Sequence, residues 1–156
     1  MSEHRNDPEP VPTRTSDRPG AHASTAPVEE LVLVLDPDQC WTRLRDASTG
    51  RVAFRTDESI EILPVNHLSD DRQIVFATSS HAILAAVADR RELVFEVDHH
   101  DGWTAWSVVV RGPAHTTQAN DGTAGRLRSM LPTPKIATVV IEPTSVTGRL
   151  FDQATP

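Results

Sequence analysis

Residues Gln73 to Arg90 read QIVFATSSHAILAAVADR and hold the chain's strongest chemical signal. The stretch alternates like a strand as far as Ala77, passes through Thr78, Ser79 and Ser80, and then takes helical spacing. A strand feeding a hydroxyl-rich turn and a helix start is a common way to hold an anion, because hydroxyls and free amides converge there. The cation that usually completes such a site is missing.

Other reactive chemistry finds little support. Cys40 shares an apolar helical face with Leu44 and Ala47, with Trp41 beside it, so it reads as a buried structural thiol. Ser107 sits in an apolar strand with no G-x-S-x-G elbow around it. Seven histidines raise the question of metal, and Asp98-His99-His100-Asp101 is their densest cluster. Adjacent residues point apart and no helical i, i+4 pair exists, so a solvated loop is expected there and no metal site. No GxGxxG and no Walker loop occurs. What remains is the strand–turn–helix unit and a Trp-rich strand. Those parts suit a flat aromatic cofactor with a phosphate: strand backbone at its edge, an aromatic near its face, a helix start for the anion.

The elements that must position these residues follow from periodicity. Residues 1–28 are rich in Pro, Ser, Thr and charge and are expected to form a disordered tail, with one domain over 29–156. EELVLVL is a short β run. In DPDQCWTRLRDA, Asp36 caps, Pro37 takes the first helical position and Gln39 completes a capping box, predicting a helix over Pro37–Ala47. RVAFRT and SIEILPVNHL form strands around an acidic turn, and LSDDRQ turns into the strand QIVFAT. A helix near Ser80–Arg90, the strand ELVFEV, the loop DHHDG and the strand WTAWSVVVRG follow. TAGRLRSML predicts a helix at Thr123–Leu131, and KIATVVIEP and SVTGRLF close the chain as β segments. Six or seven alternating strands with short helices indicate a mainly β antiparallel barrel with one filled interior.

Composition narrows the partners. Of the net charge of -7, the first 28 residues carry -1 and the remainder -6. An acidic domain has no electrostatic footprint for nucleic acid, and anionic membranes repel it. One cysteine forbids an internal disulfide, no apolar run approaches a bilayer span, and MSEHRNDPEP lacks a signal's apolar segment. The expected compartment is cytoplasmic.

In order along the chain stand CW, GRVAF, ILPVNH, a strand ending in Thr, FEVD, WSVVVRG and VIEPTSVTGR. Their order and spacing over about Leu33–Phe151 resemble the actinobacterial branch of the pyridoxamine 5'-phosphate oxidase-like proteins, the flavin-binding split β-barrels. The resemblance implies a six-stranded antiparallel split β-barrel, a homodimer, and two cofactor sites at the subunit interface. It implies that Pro64, Val65 and Asn66 line the flavin ring, and that Thr78 gives a hydroxyl to the phosphate. It places Trp106 and Ser107 beside the site, with Ala105 where the family has glycine, and gives Val146–Arg149 a structural role.

This sequence departs from the family in the opening stretch. Where the family pattern has Arg, Gly and Lys, this chain has Ala77, His81 and Ile83. A charge-assisted hydrogen bond is worth roughly 1.5–3 kcal/mol, so two lost cations cost on the order of two to four decades of phosphate affinity. Thr78, Ser79, Ser80 and the helix amides offset part of that, and His81 is either a surrogate cation or a spectator. The expectation is therefore weak FMN binding, or a related cofactor such as the deazaflavin coenzyme, in an oxidoreductase-like protein whose cofactor carries the hydride or electron. The competing expectation is a cofactor-free barrel acting as a binding or stress-related interaction module. No cluster of Arg or Lys supports a second phosphate site of the kind pyridoxamine phosphate oxidation needs.

Overall fold

The computed structural model describes residues 32–118, 127 and 137–152. The segment read as a tail and the helix expected at Thr123–Leu131 lie outside the described residues, apart from Leu127. The chain runs β1 (Val32–Leu35), α1 (Pro37–Asp46), β2 (Thr49–Arg55), β3 (Ile60–Asp70), β4 (Gln73–Thr78), α2 (His81–Ala88), β5 (Leu93–His100), β6 (Thr104–Gly112), β7 (Ala114–Thr117), β8 (Ala137–Ile141) and β9 (Ser145–Asp152).

Alternation decides which side of each strand faces inward. Val52 and Phe54 of β2, Val65 and His67 of β3, and Ile74, Phe76 and Thr78 of β4 are buried. So are Leu93, Phe95 and Val97 of β5 and Val108 and Val110 of β6. The apolar ones among these side chains and those of Val139 and Ile141 in β8 join one cluster with Cys40, Trp41 and Leu44 of α1 and with Ile83, Ala86 and Val87 of α2. Burying each large side chain contributes about 1.5–3 kcal/mol. Because strands from all along the sheet feed one core, the sheet must wrap around it.

The nine strands are antiparallel in the order β1-β9-β6-β5-β2-β3-β4-β8-β7. The edges β1 and β7 do not pair, so the barrel is open, as a split barrel is. Nine strands exceed the expected six or seven: β1 extends the sheet beyond β9 and β7 beyond β8, with seven strands between them. The β7 sequence AHTT lacks apolar alternation, which hid it.

The long β3 is where the sheet divides. Ile60 to Asn66 pair with β2, and His67 to Asp70 pair with β4. The turn expected over LSDDRQ is shorter in the structure: Asp70 pairs directly with Gln73, leaving Asp71 and Arg72 as the turn. Both adopt positive φ, 47° and 58°, as a two-residue hairpin turn with right-handed strand twist requires.

The helices end as their caps dictate. Gln39 N–H donates to Asp36 Oδ1 at 2.8 Å and Asp36 N–H to Gln39 Oε1 at 3.0 Å, so the capping box forms. Ser80 caps α2, its hydroxyl oxygen accepting from Ile83 N–H at 3.3 Å. The loop expected over DHHDG shrinks too. His99 and His100 extend β5, opposite Trp106 and Ala105, and only Asp101 to Trp103 turn. Asp101 fixes that turn by accepting from the Trp103 and Thr104 amides, at 2.9 and 2.8 Å, and from the Thr104 hydroxyl. Gly102 has φ 96°, a conformation that a side chain would strain.

Candidate functional site

The residues singled out by sequence fall in three places. Pro64 and Asn66 alternate with buried Val65, so their side chains lie on the outer face of the sheet while Val65 joins the core. Ser107 alternates with Val108 and also faces outward, in register with Asp98 on one side and Arg149 on the other. Trp106 turns the opposite way and packs against the core. The Arg43 guanidinium lies 5.5 Å from its ring centroid, and the His99 ring lies at 6.0 Å.

The third place is the turn before α2. Thr78 is buried, and its hydroxyl oxygen accepts from Ser80 N–H at 3.0 Å. Thr78 and Ser80 therefore both use an oxygen lone pair on local amides and keep their hydroxyl protons to donate. Ser79 is half-buried and His81 exposed. Ala77 faces outward from β4, opposite Thr138 of β8. Ile83 is 1% exposed and belongs to the core. Of the two uncharged positions, Ala77 is half-buried beside Thr138, itself 2% exposed, whereas Ile83 is sealed in the core.

Between Asn66 and Ser107 lie β2 and β5, three strand spacings or about 14 Å. Any ligand lying across both ends must lie over this floor, and the floor carries charge. Arg51 of β2 stands directly opposite Pro64 and pairs with Glu96 at 3.1 Å and with Asp98. Partial burial raises the Glu96 carboxyl, the Asp98 charge adds to the rise, and Arg51 opposes it. Sequence reasoning missed this trio. The signal was present in GRVAF and FEVD: their period of two puts Arg51, Glu96 and Asp98 on one face. Beside the trio, the Thr49 hydroxyl donates to Asn66 Oδ1 across the β2–β3 pair at 3.2 Å.

His67 was also passed over. It is 3% exposed, its Nε2 is 3.0 Å from the Leu44 carbonyl oxygen, and its Nδ1 is buried without a partner. Cys40 matches its expected role: fully buried, with burial raising the thiol's pKa. Among the described residues no group of three His, Cys, Asp or Glu side chains could hold a metal ion. No described helix is long and apolar enough to cross a membrane.

This fold and this division of β3 define an open, antiparallel split barrel. The profile of the pyridoxamine 5'-phosphate oxidase family matches residues 36–150. The chain belongs to that family. A protein from Corynebacterium glutamicum, provisionally described as a pyridoxamine 5'-phosphate oxidase, is 32% identical, with a TM-score of 0.66. The match covers 78% of this chain and 98% of that one. The FAD binding protein from Mycobacterium smegmatis is 30% identical, with a TM-score of 0.60 over 77% of this chain and 98% of that one. An FAD-binding protein from Mesorhizobium loti shares the fold at 20% identity, with a TM-score of 0.65 over 77% of this chain and 96% of that one. No curated protein matches the chain.

Proposed function

We propose that this protein binds a flavin-type cofactor on the outer face of its sheet, as a homodimer, and that it holds the cofactor's phosphate weakly. The observation that carries the reading is the placement of Pro64, Asn66 and Ser107 on one outward face, in a chain 30% identical to an FAD binding protein. Pro64 to Asn66 would run along the ring. Thr78, Ser79 and Ser80 would offer hydroxyl protons to a phosphate. These residues fit a flavin ring better than they fit its phosphate, because no cation stands at Ala77 and Ile83 is sealed in the core. A bound flavin, or the deazaflavin coenzyme, would supply hydride or electron transfer, which gives the oxidoreductase reading. The chain's own part is binding and orientation. Arg51, fixed by two carboxylates, sets the charge beneath the ring.

The dimer enters because an outward strand face covers only one side of a flat ring. Val34 and Ile62, on that same outward side, are 82% and 61% exposed, and a second copy would cover them. A compartment without disulfide formation, the cytoplasm, belongs to the same reading.

The second reading, a cofactor-free interaction module, draws on the missing cations and the buried Ile83. Visible absorbance of freshly purified protein separates the two. A flavin or deazaflavin band that copurifies in proportion to protein supports the first. A colourless protein that stays colourless after incubation with FMN, riboflavin and FAD supports the second.

A further inference from the structure

His67 occupies the crossing of β3, where Asn66 is the last residue paired with β2 and His67 the first paired with β4. Its backbone N–H donates to Ser48 O at 3.0 Å. Its ring Nε2 lies 3.0 Å from Leu44 O in the last turn of α1. A carbonyl only accepts, so Nε2 carries a proton; Nδ1, buried with no acceptor, is then bare and the ring neutral. Phe95 meets the ring at 4.7 Å and 59°. Phe95 in turn lies over Gly50, where a Cβ would come within 2.3 Å of the ring edge. His67 thus ties the end of α1 and β5 through its ring, and the start of β2 through its backbone N–H, around the crossing.

We propose that His67 is an acid-sensitive clasp: its neutral ring docks the end of α1 on the β3 crossing, and protonation loosens that junction and the adjoining Pro64–Asn66 strand. A second proton would sit on Nδ1, which is buried and has no acceptor. It would also place a charge in the core. Among the described residues nothing opposite compensates. β2 presents Val52, β4 presents Phe76 and β5 presents Phe95, and the neighbours of Leu44 on α1, Arg43 and Arg45, are themselves cations. Asp46 and Glu96 are the nearest acids in sequence on the packed elements; Asp46 is exposed and Glu96 faces outward. Burial lowers the pKa of the ring from 6.5, and the Leu44 bond only partly opposes this. The lowered pKa gives the sign. Docking is complete above the ordinary value and is lost as pH falls from there toward the folded pKa.

Two of the three tryptophans report on this junction. Trp41 is buried on α1, and Trp106 lies under Arg43 of α1, whereas Trp103 is 71% exposed. The test is tryptophan emission of the full chain from about pH 8 to about pH 5, in wild type and in His67→Gln. Glutamine places a donor where Nε2 stands but does not titrate. Wild type should shift to the red as pH falls, and His67→Gln should not. The same transition in both, or none in wild type, overturns the clasp.

If His67→Gln does not fold, histidine-labelled NMR of wild type decides. One ring should hold the Nε2–H tautomer, stay neutral below the ordinary imidazole value, and change together with the tryptophan signal. An ordinary titration of that ring with silent tryptophans overturns the proposal. The effect on Pro64–Asn66 rests on the flavin reading, and its readout is separate. Flavin retention falling with acid in wild type but not in His67→Gln supports the coupling. No flavin at any pH, with the tryptophan shift intact, sinks the flavin reading and leaves the clasp standing.

Discussion

On the proposed flavin reading, a single side chain at Ala77 would separate this chain from a strong phosphate site. The position lies on the outward face next to the α2 turn and is half-buried, unlike Ile83 in the core. Ala77→Arg should tighten FMN by about tenfold or more, since one charge-assisted bond is worth roughly 1.5–3 kcal/mol. Riboflavin, which lacks the phosphate, should gain almost nothing. Equal gains for both ligands in a fluorescence titration would show that the turn near Ser80 is not where the phosphate sits. Ile83→Lys should do the opposite of repair: a lysine at a 1% exposed position should cost several kcal/mol in urea unfolding without improving binding. A stable Ile83→Lys protein would contradict the burial of Ile83 between α2 and the sheet. Sequence alone could name both positions but could not tell them apart. Ile83 and Ala77 differ in burial, and burial depends on how α2 closes on β2 and β7.

Among the elements, α1 shows what a local code delivers. Asp36, Pro37 and Gln39 announced the helix start, and the capping box formed as those residue types require. Asp36→Ala should remove the cap and cost about 1 kcal/mol, read as a fall in melting temperature. No change would mean that core packing of Cys40, Trp41 and Leu44 alone holds the helix start. The β5–β6 turn offers a second check. Amide bonds from Thr104 and Trp103 lower the Asp101 carboxyl from 3.8 to about 2. Its contribution is present above the ordinary carboxylate value and is lost as pH falls toward about 2, so the hairpin should stay closed in mild acid. Amide exchange at Trp103 and Thr104 checks this; early opening at mildly acid pH contradicts it. Turn boundaries were the poorly legible part of this chain. Whether Ser69, Asp70, His99 and His100 end a strand or belong to it depends on partners in β4 and β6, which no local pattern contains. The AHTT strand was invisible for the same reason: only pairing with β8 makes it β.

For the molecule as a whole, alternation and the ordered motifs were enough to reach the split barrel. They could not give the outer-face floor. Arg51 meets Glu96 and Asp98, 45 and 47 residues away in sequence, only because β2 and β5 are neighbours in the sheet. That face also carries the assembly claim. If a second copy covers it, Ile62→Asp should convert a dimer to monomer in sedimentation, because a charge would enter the apolar contact. A wild-type monomer at micromolar concentration would remove the two-chain site.

The most direct measurement is a side-by-side titration of the wild-type protein with FMN and riboflavin. A ring-binding face without a phosphate cation predicts that both bind, with affinities within about tenfold of each other. Binding of neither ligand would contradict the flavin site. FMN binding more than about a hundredfold tighter than riboflavin would contradict the weakened phosphate site.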